Sequence, residues 1–239
     1  MFIAAAFVII GDEILSGRTV EKNMNFLACE LTKMGINLKE VRVVPDIEEE
    51  IIAAVNILRK KFDYVFTSGG IGPTHDDITS AAIAKAFGDD LIKNKEAEAI
   101  LINYYGAKNV NEARLKMAFV PKRAKLLDNP VSSAPGFMIE NVVVMAGVPK
   151  IMQAMFFAAV SHLRGGDKTI SQEIKIDVTE SVVAQDLANL QKEFPKISMG
   201  SYPFLGGTSL VFRGVDVAIL HKAVRKMKDL IFDIKQNQN

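Results

Sequence analysis

The stretch Asp63-Tyr64-Val65-Phe66-Thr67-Ser68-Gly69-Gly70-Ile71-Gly72-Pro73-Thr74-His75-Asp76-Asp77 decides how the rest of the chain is read. Residues 63–67 form a short, mostly apolar run, the pattern of a strand buried on both faces. Three glycines and a proline follow at once. A helical periodicity then runs from near His75 to about Phe87. A glycine-rich turn at the carboxyl end of such a strand is where open α/β sheets bind ligands. Glycine lets the backbone come close to a ligand, and its N–H can point at phosphate oxygens. The turn is neither a G-x-G-x-x-G fingerprint nor a P-loop, since no Gly-Lys-Ser/Thr follows. A plainer reading competes: a tight turn with Thr74 as N-cap and Asp77 at the third helical position.

Upstream, Ile3–Ile10 is a continuous apolar run ended by glycine, another doubly buried strand. Met24, Leu27, Leu31 and Met34 recur at helical spacing and Gly35 stops them. Residues 38–44 are the next strand, closed by Pro45, and Ile47, Ile51, Ala54, Val55 and Leu58 mark an amphipathic helix. Strands alternating with helices over short links imply a parallel sheet with right-handed crossovers. Downstream, residues 93–118 read as helical and charged, anchored by Ile100, Leu101, Tyr104 and Tyr105. Short strands are expected at 125–127, 136–139 and 142–145, a helix over 151–163, and a linker at 164–167. Beyond it come strands at 174–178, 198–200 and 209–212, helices over 183–194 and 220–234, and a frayed Gln236–Asn239 end. The expected architecture is a three-layer α/β/α domain over residues 1–165, with a mostly parallel sheet. A small α+β domain over 170–235 follows it.

The acidic residues sharpen the site. Asp76 and Asp77 beside a phosphate cradle would repel the ligand unless a divalent cation such as Mg²⁺ bound carboxylate and phosphate oxygens together. Asp46, after Pro45, has the spacing of an N-cap with Glu49, yet it also stands at a carboxyl strand end. Gly11-Asp12-Glu13 follows the first strand. Acids after three successive parallel strands converge on one crevice, which capping alone explains poorly. His75 reads as solvated beside the turn, and His162 and His221 carry no partner pattern. There is no zinc-ligand spacing and no G-x-S-x-G elbow.

Bulk properties narrow the function classes. Lys plus Arg is 29 and Asp plus Glu is 28, a net charge of +1 with no like-charge block, so a broad nucleic-acid surface has no electrostatic support. Cys29 is the single cysteine, which fits a reducing compartment and a cytoplasmic protein, and its helical context reads as a core position. No apolar run approaches the roughly 18 residues that span a bilayer. The apolar start lacks basic residues and reads as a strand rather than a signal peptide.

These residues, in this order, match a known family. Gly11-Asp12-Glu13-Ile14-Leu15 with Gly17 and Asn23 comes first, then Val44-Pro45-Asp46, then Ser68–Thr74 with Asp76-Asp77-Ile78-Thr79. Asn129-Pro130 with Ala134-Pro135-Gly136-Phe137, and Gly147-Val148-Pro149, complete the set. The sequence resembles the molybdopterin-binding (MoaB/Mog-like) domain over residues 3 to 160. It is most similar to the version found in CinA-type competence/damage-inducible proteins and in FAD synthases. Residues 170–232, with Gly200-Ser201-Tyr202-Pro203, look similar to the small domain that follows it there.

The resemblance implies a ligand site at the strand ends. In the molybdenum-cofactor branch, the aspartates matching Asp46 and Asp77 are implicated in adenylyl chemistry on molybdopterin. In the CinA branch, the domain hydrolyses the pyrophosphate of ADP-ribose-like compounds with a metal. The expected catalytic residues are therefore Asp46 and Asp77, and the expected metal ligands Asp46, Asp76 and Asp77. The expected ligand-binding set is Gly11, Asp12, Glu13, Thr67, Ser68, Gly69, Gly70, Gly72, Pro73, Pro135, Gly136 and Gly147. The backbone N–H groups of Gly69, Gly70 and Gly72 are expected to hold one phosphate. The partner is a nucleotide or pterin phosphate, and relatives imply a dimer or trimer. Three positions depart from the family pattern: Ser132, Ala146 and Lys150. The chain shows neither the deamidase domain of full-length CinA-type proteins nor the nucleotidyltransferase domain that makes FAD, so neither activity is expected. Pyrophosphate cleavage leads the expectations, with pterin binding or adenylyl transfer, or a non-catalytic binding module, as alternatives.

Overall fold

The structure is a computed structural model and describes residues 1–237, with the side chains of all of these except Lys235 and Asn237. The described chain divides into two compact units, residues 1–166 and residue 167 onward.

The first unit runs β1 (Ile3–Ile10), α1 (Asp12–Leu15), α2 (Asn23–Lys33), β2 (Ile36–Val44), α3 (Glu48–Lys61), β3 (Tyr64–Ser68) and α4 (Thr79–Ala86). It continues with β4 (Leu91–Lys93), α5 (Lys95–Tyr105), α6 (Glu112–Lys116), β5 (Phe119–Pro121), β6 (Lys125–Leu127), β7 (Gly136–Ile139), β8 (Val142–Met145) and α7 (Pro149–Ala159). Six strands make one sheet in the order β2-β1-β3-β8-β7-β6. β2, β1, β3 and β8 are mutually parallel, whereas β7 runs antiparallel to both β8 and β6.

Side-chain alternation along β1 shows why an unbroken apolar run was required. Ile3, Ala5, Phe7 and Ile9 pack with α2 and α7 on one face, while Ala6, Val8 and Ile10 pack with α3 and α4 on the other. Each fully buried large side chain such as Phe7 or Phe66 contributes about 1.5–3 kcal/mol relative to exposure. The expected three-layer α/β/α fold is the observed one. Local signals set the helix limits. Gly35, at φ 72°, ends α2 in the left-handed region. Glu48, Glu49 and Glu50 start α3 and Arg59, Lys60 and Lys61 finish it, each charge matched to the nearer pole of the helix dipole. Pro149 opens α7, where its missing N–H costs nothing.

The structure corrects four local expectations. The helix after the glycine turn begins at Thr79, not near His75, so residues 74–78 are a turn and Asp77 lies outside the helix. Asp46 does not cap α3: Ile47 holds the cap position without a side-chain bond. The charged segment 93–118 is two helices, capped by Asn94 and Asn111, on a two-stranded antiparallel ribbon of β4 and β5. Three-residue strands are too short to show a period. Cys29 is exposed rather than in the core, because α2 buries Leu27 and Leu31 instead.

The second unit runs β9 (Ile170–Ile176), α8 (Glu180–Glu193), β10 (Ser198–Phe204), β11 (Gly207–Gly214) and α9 (Val217–Asn237). Its sheet has the order β10-β11-β9, all antiparallel. Both helices cover one face through Val183, Leu190, Leu220, Ala223 and Met227. β9 begins four residues before the expected strand, and the end of the expected frayed tail, residues 238–239, lies outside the described residues. Among the described residues no helix is long and apolar enough to cross a membrane.

Candidate ligand site at the strand ends

Four parallel strands end at one edge of the sheet, and the loop after each contributes to one cavity of about 620 Å³. Gly11 and Glu13 come from the end of β1, Asp46 from β2, residues 69–73 with Asp76 and Asp77 from β3, and Ala146 to Pro149 from β8. Asp46 and Gly70 therefore share one edge, as the alternation of strands and helices predicted.

The glycines are explained first by packing. Gly69 and Gly70 have φ of 106° and 68°, a region that side chains disfavour. A Cβ on Gly69 would stand 2.1 Å from the Ile10 carbonyl oxygen, and one on Gly70 2.1 Å from Thr79 Oγ1. The turn thus lies directly on β1 and on the start of α4, and the Thr79 N–H donates to the Gly70 carbonyl at 2.9 Å. The Gly69 N–H, expected to face a phosphate, donates instead to the Met145 carbonyl at 3.1 Å, although the residue lines the cavity. Among the described residues, the N–H groups of Gly70, Ile71 and Gly72 show no protein partner, which leaves three consecutive donors at the cavity.

The acids divide by environment. Asp46 Oδ2 accepts the Asp12 backbone N–H at 3.0 Å. Burial raises the Asp46 carboxyl above its ordinary range. The Asp12 N–H opposes that, and the charges of Asp12, Glu13 and Asp76 add to it. That mutual repulsion is the expected convergence of acids from three strand ends. Asp77 Oδ2 accepts from both the backbone N–H of Thr74, at 2.8 Å, and the Thr74 hydroxyl. One oxygen of Asp77 is therefore engaged in bracing the turn. The exposed Asp76 is held below the usual carboxylate range, first by the nearby Thr74 hydroxyl, then by its own backbone N–H, with His75 and Lys116 adding charge. His75 is solvated, its side chain 99% exposed.

Among the described residues no three His, Cys, Asp or Glu side chains stand together as a ready-made metal cluster. The donor set is nonetheless all oxygen. Mg²⁺ suits such a set, because it takes one or two carboxylates and completes its shell with water and phosphate oxygens.

Several expected residues stand behind the cavity rather than in its wall. Thr67 and Ser68 are buried in β3, and Thr67 Oγ1 has no partner. Ser68 and Asn23 line a side niche of about 50 Å³. Asn23 Nδ2 donates to the Gly147 carbonyl at 2.8 Å, and a Cβ on Gly147 would touch the Gly69 Cα at 3.4 Å. Asn23 thereby steadies two loops of the site. Asp12 is outside the cavity lining and reaches Asp46 through its backbone N–H and its charge. Pro135 and Gly136 are buried, and a Cβ on Gly136 would meet the Val144 carbonyl oxygen at 2.7 Å. Pro73 lines the cavity as expected.

Sequence reasoning missed Thr19, Tyr105 and Met117, which line the cavity together with Ser132. It also missed Lys116, whose Nζ donates to the Thr74 carbonyl and brings a cation to a turn that has none in its own sequence. The signal for α5 and α6 was a charged helical pattern anchored by Ile100, Leu101, Tyr104 and Tyr105, which says nothing about the sheet edge they reach.

Residues 6–164 match a family described as "Probable molybdopterin binding domain", which covers well over half of the chain. The chain belongs to that family. The expected resemblance is thereby borne out. Residues 168–237 match the middle domain of FAD synthase. A protein from Archaeoglobus fulgidus is 34% identical over 229 residues, 95% of this chain and 98% of its own length. A protein from Pyrococcus furiosus is 33% identical over 240 residues, covering 94% of this chain and 95% of that protein. The crystal structure of CinA, of unknown function, from Thermoplasma acidophilum superposes with a TM-score of 0.64 at 37% identity. It covers 66% of this molybdopterin-binding family member and 96% of the crystallised chain.

Proposed function

We propose that this cavity binds a phosphate-bearing nucleotide and, with a divalent cation, cleaves a pyrophosphate bond of ADP-ribose or a related dinucleotide. The observation that carries the reading is the meeting of free donors and acids. Gly70, Ile71 and Gly72, whose N–H groups have no protein partner, line the same cavity as Asp46, Asp76 and Asp77. Three donors alone neutralise little of a diphosphate's charge, and the acids add negative charge. A bound cation such as Mg²⁺ supplies the missing neutralisation and an activated water. On this reading Gly70 to Gly72 orient one phosphate, and Lys116, released from the Thr74 carbonyl, offsets charge on the other. Asp46 and Asp76 hold the cation side, and Asp77 contributes the oxygen not engaged by Thr74.

A second reading, a pterin phosphate as ligand with adenylyl transfer or binding alone, is favoured by the family's description. Both readings take the chain to work in the cytoplasm, which the single cysteine supports. They also take it to work as a homo-oligomer, for which the exposed Val20, Met24 and Phe157 offer apolar surface. The test is incubation with ADP-ribose, FAD, NADH and an adenylated pterin, with and without Mg²⁺, read by product chromatography. Metal-dependent release of nucleoside monophosphate from ADP-ribose is expected. No turnover of any pyrophosphate, combined with tight binding of the pterin nucleotide, would replace the first reading by the second.

A further inference from the structure

The second unit has a groove of its own. It lies between β9 and α9, encloses about 280 Å³, and is lined by Gln172, His221, Val224, Arg225 and Lys228. Val224 belongs to the buried core of the unit, and the three basic side chains are exposed. His221, Arg225 and Lys228 stand at i, i+4 and i+7, one stripe of the helix about 10.5 Å long. No carboxylate shares the lining. Among the described residues none of the three has a hydrogen-bond or ion-pair partner, and Asp229, one turn beyond Arg225, is not paired with it. Lys226, on the neighbouring face, differs: its Nζ reaches both carboxylate oxygens of Glu193 in α8, at 2.7 and 2.5 Å. The helix α8 thus supplies an acid to the adjacent lysine and none to the stripe.

The strand beside the groove is an edge. The order β10-β11-β9 leaves one side of β9 without a neighbour in its sheet. Backbone N–H and C=O groups along such a side form a template for another strand. Ile170, Gln172, Ile174 and Ile176 alternate onto the face that the helices cover. Three of the four are isoleucines, and Gln172, opposite Phe212, is the exception that meets the stripe. A polar side chain in an apolar row adds little to a core; here it adds an amide donor to three basic groups.

A free edge next to a helix groove has the geometry of strand addition, in which main-chain bonds give affinity and alternate side chains enter the groove. Alternate residues of an added strand are about 6.5 Å apart, so two carboxylates reach all three basic groups, with Arg225 shared. A nucleic acid would use the charges and leave the strand edge unpaired. We propose that β9 and α9 bind an extended acidic segment of a partner protein, which adds to β9 as a fourth strand and turns alternate carboxylates toward His221, Arg225 and Lys228. This holds whatever the strand-end cavity binds.

The probe is a fluorescent, end-blocked peptide of alternating valine and glutamate, with three glutamates, titrated with the full chain at low salt and read by anisotropy. Saturable binding tighter than about 1 mM is expected. Two further versions carry N-methyl groups on the valines or on the glutamates. At least one of them should bind at least about tenfold more weakly, the scale for losing several main-chain hydrogen bonds. Arg225→Ala combined with Lys228→Ala should weaken the parent peptide at least about threefold, the scale of two exposed ion pairs. The melting temperature of that variant should not change, because both side chains are exposed. In the imidazole spectrum of the unaltered protein, the peptide should move the signal of His221 and leave those of His75 and His162 in place. Absence of binding would overturn the proposal, and so would methylated versions that both bind as well as the parent. Equal binding of an oligothymidylate with the same three charges would also overturn it, leaving a basic surface and no strand site. Movement of His75 in place of His221 would do the same, by placing the peptide at the glycine turn.

Discussion

The Asp12 backbone N–H donates to Asp46 Oδ2 across 3.0 Å, so one residue beyond the Gly11 N–H to Val44 carbonyl bond a carboxylate carries the link between β1 and β2 on into the cavity. Burial and the neighbouring acids raise that carboxyl. A carboxyl whose folded pKa is raised favours folding below its unfolded pKa and loses that contribution as pH rises through the folded value. Asp46→Asn keeps an acceptor for Asp12 and removes the charge. It should melt about 1–2 °C higher at neutral pH, and the difference should vanish near pH 3, where the unaltered residue is protonated too. Its affinity for Mg²⁺ in the presence of ADP should fall. Thermal melts across pH check the first outcome, and a lower melting temperature at neutral pH would contradict it.

Asp77 has two tasks that mutation separates. Asp77→Asn removes charge and keeps one acceptor for Thr74, so the fold should survive. Turnover of ADP-ribose should drop by about a hundredfold or more, the scale for deleting one electrostatic contributor. Thr74→Val removes the hydroxyl that braces the turn and leaves the charge in place. It should cost less than tenfold. Equal losses in steady-state assays of the two variants would make Asp77 a turn brace and nothing more.

Glycines of similar φ should respond differently to a methyl group. Gly17 has φ 73° with nothing within 4 Å of a built Cβ, so Gly17→Ala meets only backbone strain, about 1–2 kcal/mol. Gly70, at φ 68°, adds a 2.1 Å collision with Thr79 Oγ1. Gly70→Ala should lose a further 1–3 kcal/mol or so from overpacking. Urea denaturation of the pair measures the difference, and equal losses would show that the turn yields freely.

Trypsin should cut at Lys168 before Arg164. The Arg164 N–H is bonded to the Tyr64 hydroxyl at 2.8 Å and the Gly166 N–H to the Met34 carbonyl at 3.0 Å, which ties the chain down to the end of the first unit. A stable fragment of the first 168 residues is the expected product, identified by mass. Early cleavage at Arg164 would mean that these tethers open readily.

The sheet was legible because its strands satisfy two faces at once. Ile3–Ile10 has no polar residue to place, and only a doubly covered strand accepts that. The limits of β6, β7 and β8 could be read to the residue for a related reason, since each is a short apolar run between turn residues. The cavity was legible where loops follow strands directly, as at Gly11, Asp46 and Gly70. It was illegible where the contributor arrives through tertiary packing. Nothing local marks Tyr105, Met117 or Lys116 as neighbours of Thr74 and Ser132. The same limit explains Asp77: sequence spacing cannot distinguish a residue in a helix's first turn from one in the turn just before it, and the Thr74 bonds decide for the latter.

The ribbon of β4 and β5 closes the segment that carries α5 and α6 at its base, pairing Leu91 with Pro121 and Lys93 with Phe119. Everything between those pairs leaves and rejoins the domain at one point, outside the six-stranded sheet. The sheet edge and its glycine turn would keep their register if that segment were lengthened, shortened or exchanged. The part of the cavity wall that Tyr105 and Met117 supply is thus built on a stretch of chain separate from the sheet, joined to the glycine turn where Lys116 reaches the Thr74 carbonyl, so it can diverge without disturbing the strand ends.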